Sequence, residues 1–279
     1  MIKTFEEYTQ NCELLDEGII PNYIDKTVKL TMDNDDGIDF SENKYIKYRD
    51  YKSGLTVFSI FRRTPLPDPY FDKDMDGNPF IYALKDINGW TFDITDVEAK
   101  QYIRKFLSIC QSIEQKYDVI VMAPSNNGLN RRFMSIIYKI VNAKIKIEDY
   151  FFKLKTSDVL MNLDSDLLKK DFPDSYKREN IQKEIKKSLM SMGNDFESKK
   201  FPKEYLKYIK SVVDMNNQYD YQDSFDLFNS KNVLVLDDVF SSGKTVSDCV
   251  KMIREFEPSK IDVITLLSKK MKKKLQMRK

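Results

Sequence analysis

The chain has 279 residues, 41% hydrophobic and 32% charged, with a net charge of +2, enough to bury a sizeable core as one large domain or two smaller ones. It contains no histidine, which excludes Ser-His-Asp and Cys-His catalysis and nearly every transition-metal site, and leaves open a Mg²⁺ site built from oxygen ligands. Three isolated cysteines (Cys12, Cys110 and Cys249) predict a reducing, cytoplasmic setting, and no run approaches the ~18 apolar residues of a membrane span.

The first ten residues lack the apolar core of a signal peptide. Residues 3–17 predict a helix, with Gly18 just past its end. From 22 to 61 the pattern alternates as in strands. Tyr23, Ile24, Val28 and Leu30 form one group and Tyr45, Ile46 and Tyr48 another, with a turn at 33–37 between them. Residues 55–61 predict a further strand, broken by Pro65, Pro67 and Pro69. The run at 72–77 matches the first half of an EF-hand loop, but its twelfth position is Ala83 where a bidentate Glu is needed. It reads as a surface turn before a strand over 80–84.

Thr95 and Glu98 form a capping box that opens a helix running to about Lys116, with Ala99, Ile103, Phe106, Leu107, Cys110 and Ile113 on its apolar stripe. Residues 118–123 predict a buried strand and Pro124, Ser125, Asn126, Asn127 and Gly128 a turn. Leu129, Phe133, Ile136, Ile137 and Ile140 mark the next helix. Residues 145–154 predict another strand. The long stretch 156–229 is charged and helical in pattern, with stripes at Ile181, Ile185, Leu189 and Met192 and at Leu206, Ile209 and Val213. That is more chain than a connecting loop needs, and it predicts a helical insertion.

The densest information lies at 232–260. Val233, Leu234, Val235 and Leu236 predict a strand buried on both faces, closed by Asp237 and Asp238. Val239 and Phe240 lead into Ser241, Ser242, Gly243, Lys244 and Thr245, after which Val246, Cys249, Val250 and Ile253 repeat at helical spacing. A small hydroxylated loop at a helix N-terminus aims amide donors at one point, which suits a phosphate. Adjacent carboxylates suit the hydroxyls of a sugar. The Gly-Lys-Thr run is not a nucleotide-binding P-loop, because the first glycine of that motif is replaced by Asp238. An ordinary strand ending in a polar turn is the plain alternative. Residues 261–267 predict a last strand.

The stretch 233–245 resembles the signature of type I phosphoribosyltransferases, with four apolar residues, two acids, two further residues and a hydroxyl-rich loop in order. The resemblance implies that Asp237 and Asp238 face the ribose hydroxyls of phosphoribosyl pyrophosphate. It assigns the 5′-phosphate to Ser241, Ser242, Gly243, Lys244 and Thr245. It places Ser125, Asn126, Asn127 and Gly128 at the pyrophosphate, with Arg131 and Arg132 in reach; an ordinary turn with a solvated arginine pair is the alternative there. Lys153 and Lys155 can approach the same anion, though nothing in their spacing requires it. The layout from Ala83, Leu84 and Lys85 to Arg131, Arg132 and Phe133 is similar to the ComF-like branch.

The expected fold is therefore α/β, a mainly parallel sheet flanked by helices, with an N-terminal helix and β-rich part over 1–93 and a core over 94–268 that carries the insertion at 156–229. A basic tail follows at 269–279. It holds seven basic residues and no acid, leaving 39 basic against 44 acidic residues in the rest. Such a tail can touch nucleic acid, and a solvated terminus explains it more simply.

The resemblance implies a transferase that binds phosphoribosyl pyrophosphate with Mg²⁺ and passes ribose 5-phosphate to a nitrogenous acceptor, as in nucleotide metabolism. The alternative is a non-catalytic phosphoribosyl- or nucleotide-binding module in a nucleic-acid-linked pathway. Ser241 stands where purine-salvage members carry an Asp, which argues against a purine acceptor. The implied partner is a small phosphoribosyl substrate, not a membrane; self-association is left open.

Overall fold

The computed structural model describes residues 18–22, 24–31, 38–39, 44–50, 54–63, 79–86, 89–125, 128–196, 198 and 200–270. The helix expected over 3–17, the turn at 33–37, the half-motif at 72–77, Asn126, Asn127 and residues 271–279 of the tail lie outside them.

In chain order the elements are β1 (Gly18–Asn22), β2 (Thr27–Thr31), β3 (Ile38–Asp39), β4 (Ile46–Arg49), β5 (Thr56–Arg63), α1 (Pro79–Lys85), β6 (Thr91–Phe92) and α2 (Asp96–Gln111). Then come β7 (Val119–Met122), α3 (Leu129–Val141), β8 (Ile145–Ile147), β9 (Phe151–Lys153), α4 (Thr156–Met161), α5 (Ser165–Asp171) and α6 (Ser175–Met190). The chain continues through β10 (Val213–Met215), α7 (Tyr221–Phe228), β11 (Asn232–Val239), α8 (Lys244–Arg254) and β12 (Lys260–Lys270).

A seven-stranded sheet runs β3-β5-β12-β11-β7-β8, with β4 also paired to β5. Strands β5, β12, β11, β7 and β8 are mutually parallel, while β3 and β4 run antiparallel to β5. The fold is thus mixed α/β. Strand β5, from within residues 1–93, lies directly beside β12, so the sheet draws strands from both sides of residue 93.

Alternation along the strands builds two cores. Val233 and Val235 face Val246, Cys249, Val250 and Ile253 of α8. Leu234 and Leu236 face Phe133, Met134 and Ile137 of α3, together with Ile109 and Cys110 of α2. All four strand residues are buried because both faces are covered. The insertion joins the α8 side through Val159, Leu168, Ile185 and Leu189, and α1 joins the other side through Phe80 and Ile81.

The capping box forms as its sequence implies: the Glu98 amide donates to Thr95 Oγ1 at 3.3 Å and the Thr95 amide to Glu98 Oε2 at 2.6 Å. Its helix stops at Gln111, short of Lys116, and Ile103 is 55% exposed rather than on the apolar stripe. Residues 80–84 are helical, not a strand. Pro79 occupies the first helical position, where its fixed φ is favourable and its missing N–H costs nothing. The strand expected over 145–154 is two short strands, β8 and β9, in different sheets. Leu206, Ile209 and Val213 are buried but do not share a helix. Leu206 starts a short 3₁₀ turn, Ile209 bridges Leu163, and Val213 pairs with Lys153. No helix among the described residues is long and apolar enough to cross a membrane.

Candidate functional site

The chain leaves β7 through α3 to β8, on one side of β7, and leaves β11 through α8 to β12, on the opposite side of β11. Strands β7 and β11 are neighbours in parallel register, Met122 beside Leu236. Right-handed crossovers in opposite directions place their helices on opposite faces, as the two cores show. The order reverses between β7 and β11, and the crevice outside the carboxyl ends of such strands is where open α/β sheets bind ligands. Asp237 and Asp238 end β11 at that crevice, and Pro124 and Ser125 follow β7 there.

The two acids have different neighbours. Asp238 forms a close ion pair with Lys85, the last residue of α1, and the two side chains are 10% and 9% exposed. Asp237 meets neutral donors: Asn130 Nδ2 lies 3.2 Å from its Oδ1 and the Asp238 amide 2.9 Å. Asn130 Nδ2 also reaches the Ala123 carbonyl at 3.4 Å, so one side chain ties the ends of β7 and β11 together. Asn130 is fully buried, and its Oδ1 has no partner among the described residues. Burial raises the Asp237 carboxyl to about 7, and the adjacent Asp238 adds to the rise; the Asn130 and Asp238 hydrogen bonds and the Lys85 charge oppose it.

Beyond β11 the chain turns through Phe240, which is buried, and Ser241 and Ser242, which are exposed. Gly243 caps α8 at φ +73, a left-handed conformation that glycine adopts freely. A Cβ there would lie 2.6 Å from the Phe240 ring, so the ring under the loop also demands glycine. The cap offers no side-chain acceptor. The Lys244 amide turns to Ser242 Oγ at 3.3 Å, and the amides of Thr245 and Val246, which the helix itself cannot satisfy, meet no acceptor among the described residues. The positive end of the helix dipole points the same way.

The Lys244 side chain departs from its expected role. Its ammonium donates to Asp248 Oδ1 at 2.7 Å and to the Lys210 carbonyl at 2.9 Å, away from the loop. Asp248 in turn accepts the Val212 amide at 2.9 Å. Lys244 thus fastens the insertion to α8, and only its backbone belongs to the loop. Burial lowers the Lys244 ammonium and raises the Asp248 carboxyl, and each partner's charge works against the other's shift.

On the β7 side, Ser125 is half-buried and Gly128 caps α3 without a side-chain bond. Arg131 Nε lies 3.5 Å from Glu148, turned toward the end of β8, where it lines a cavity of about 420 Å³ with Lys146, Glu148, Asp149 and Tyr219. Arg132 is exposed. Lys153 lies in β9, and Lys155 opens α4. Asn126 and Asn127 lie outside the described residues.

Among the described residues no group of three or more Cys, Asp or Glu side chains is placed to hold a metal ion; the carboxylates at the crevice are Asp237 and Asp238, and Asp238 already holds Lys85. Asn130 was not among the residues expected from sequence, and Lys85 entered only through the layout resemblance, with no site role given to it. Both lie far from β11 in the chain. No protein-family model, curated protein or solved structure matches this chain.

Proposed function

We propose that the chain binds phosphoribosyl pyrophosphate with Mg²⁺ and transfers ribose 5-phosphate to a nitrogenous acceptor, releasing pyrophosphate. One observation carries the reading: Asp237 and Asp238 close β11 at the topological switch point, five residues ahead of a glycine-capped helix with open amide donors. The 5′-phosphate takes the amides of Thr245 and Val246 and the hydroxyls of Ser241, Ser242 and Thr245. The ribose hydroxyls donate to the acid pair, whose negative field offsets positive charge building at C1 as the bond to pyrophosphate breaks and the bond to nitrogen forms. Mg²⁺ bound with the substrate supplies charge stabilisation on the leaving pyrophosphate. Ser125 and Gly128 offer small, close-approach positions on the β7 side, with Arg132 exposed beside them.

A specific observation favours a second reading, in which the crevice binds a phosphoribosyl group without turnover: Asp238 is held by Lys85 and the Lys244 ammonium by Asp248, so neither is free for chemistry. Calorimetry with phosphoribosyl pyrophosphate and Mg²⁺ tests the site, and pyrophosphate release across a panel of nitrogenous acceptors tests transfer. Binding with release supports the enzyme; binding without release on any acceptor supports the module; absence of binding removes both.

A further inference from the structure

Two adjacent carboxylates are a poor welcome for a sugar phosphate. A ligand carrying several negative charges, brought beside Asp237 and Asp238 at low dielectric, meets repulsion that the open amides of α8 must overcome. Among the described residues, the ammonium that reaches this cluster is that of Lys85. Lys85 ends α1, reaches the end of β11 on the α3 side of the sheet, and contacts Asp238 with only 9% of its side chain exposed. Among the described residues, the groups around Asp237 are Asp238 from its own strand, Lys85 from α1, Asn130 from α3 and Cys249 from α8, and Lys85 is the cation that acts on it.

We infer that Lys85 is a positioning residue of the ligand site: its ammonium neutralises Asp238 so that the acid pair presents one bare carboxylate, Asp237, to the sugar hydroxyls and tolerates an anionic ligand. This role rests on the phosphoribosyl reading above. The short helix α1 serves it directly. Pro79 starts the helix, Phe80 packs edge-on against Phe61 and Phe92 at 6.1 and 5.5 Å, and Lys85 is thereby delivered across the sheet end from a part of the chain 153 positions earlier than its partner. A lysine kept only for stability would be an uneconomical choice, since a buried ion pair often contributes little net over an apolar pair of the same volume.

The test uses the full chain with Lys85→Gln, which keeps a donor for Asp238 while removing the charge, and Lys85→Arg, which keeps the charge. Ribose 5-phosphate and phosphoribosyl pyrophosphate with Mg²⁺ are the probes, and calorimetry is the readout. Lys85→Gln is expected to weaken ribose 5-phosphate binding by about tenfold and the more highly charged diphosphate ligand by more, and Lys85→Arg to recover most of both. A carboxyl NMR titration without ligand is expected to move the Asp237 midpoint upward in Lys85→Gln. Equal losses for both ligands, no loss, or an unmoved Asp237 titration overturns the role of Lys85. A wild-type chain that binds neither probe overturns the phosphoribosyl reading itself, and this inference with it.

Discussion

The amide of Asn130 spans the gap between two strands, its Nδ2 3.2 Å from the Asp237 carboxylate and 3.4 Å from the Ala123 carbonyl. Asp237 lies near the end of β11 and Ala123 follows β7, so the side chain ties the two strands together at the switch point. Its own Oδ1 faces no donor among the described residues.

Asn130→Ala therefore removes a donor from a buried carbonyl and a partly buried carboxylate. Stability is expected to fall by about 2 kcal/mol in urea titrations, the cost of leaving such groups unpaired. The Asp237 titration moves further up, because a hydrogen bond that favours the charged form is gone. Unchanged stability and an unmoved titration would show that Asn130 does not hold the two strand ends together.

The raised Asp237 carboxyl makes a signed prediction. Below about pH 4 it is protonated in both folded and unfolded chains and contributes nothing to the pH dependence. Between about 4 and 7 the unfolded chain ionises while the folded one does not, so stability falls as pH rises; above about 7 the penalty is complete. Asp237→Asn removes the penalty. Thermal melts are expected to show no gain at pH 4 and a gain of up to about 4 kcal/mol at pH 8. The same change, combined with Asp238→Asn, weakens ligand binding by roughly 2–5 kcal/mol. An equal effect at both pH values would remove the case for a strained acid.

Some of this was legible before the structure and some was not, for physical reasons. Strand β11 and helix α8 are local: four apolar residues buried on both faces, then a glycine cap, all in one contiguous run. The Thr95–Glu98 capping box is equally local, its two halves three residues apart. Residues 80–84 suit a strand as well as a helix, because Phe80 and Tyr82 are aromatic and Ile81 is β-branched; only Pro79 at the first position favours a helix. The stripe at Leu206, Ile209 and Val213 has helical spacing, yet three different local structures bury it in the same core. Asn130 and Lys85 act on β11 from 107 and 153 residues away. No spacing rule reaches that far.

Lys244 separates the loop's backbone from its side chain. Its ammonium lies between Asp248 and the Lys210 carbonyl, with the Asp248 side chain 1% exposed. Lys244→Met leaves that carboxylate, among the described residues, with the Val212 amide as its hydrogen-bond donor and is expected to cost about 3 kcal/mol in denaturant titrations. Affinity for ribose 5-phosphate is expected to change less than about threefold, because the amide donors of the first turn remain. A large affinity loss with little change in stability would return the ammonium to the phosphate.

Gly243 meets two demands at once, and they can be separated by experiment. Its φ of +73 alone makes alanine cost roughly 1–2 kcal/mol. The Phe240 ring, 1% exposed and edge-on to Tyr48 at 6.2 Å, adds a second cost, since an alanine Cβ would sit 2.6 Å from its Cζ. Gly243→Ala is therefore expected to lose about 3 kcal/mol in all and to weaken ribose 5-phosphate binding, because shifting the ring moves the loop that aims the Thr245 and Val246 amides. Phe240→Leu in the Gly243→Ala background removes the nearest ring atoms and leaves the backbone strain. In a double-mutant cycle it is expected to couple favourably by about 1 kcal/mol. If the two changes simply add, the ring does not press on the loop, and the glycine is required for its left-handed backbone alone.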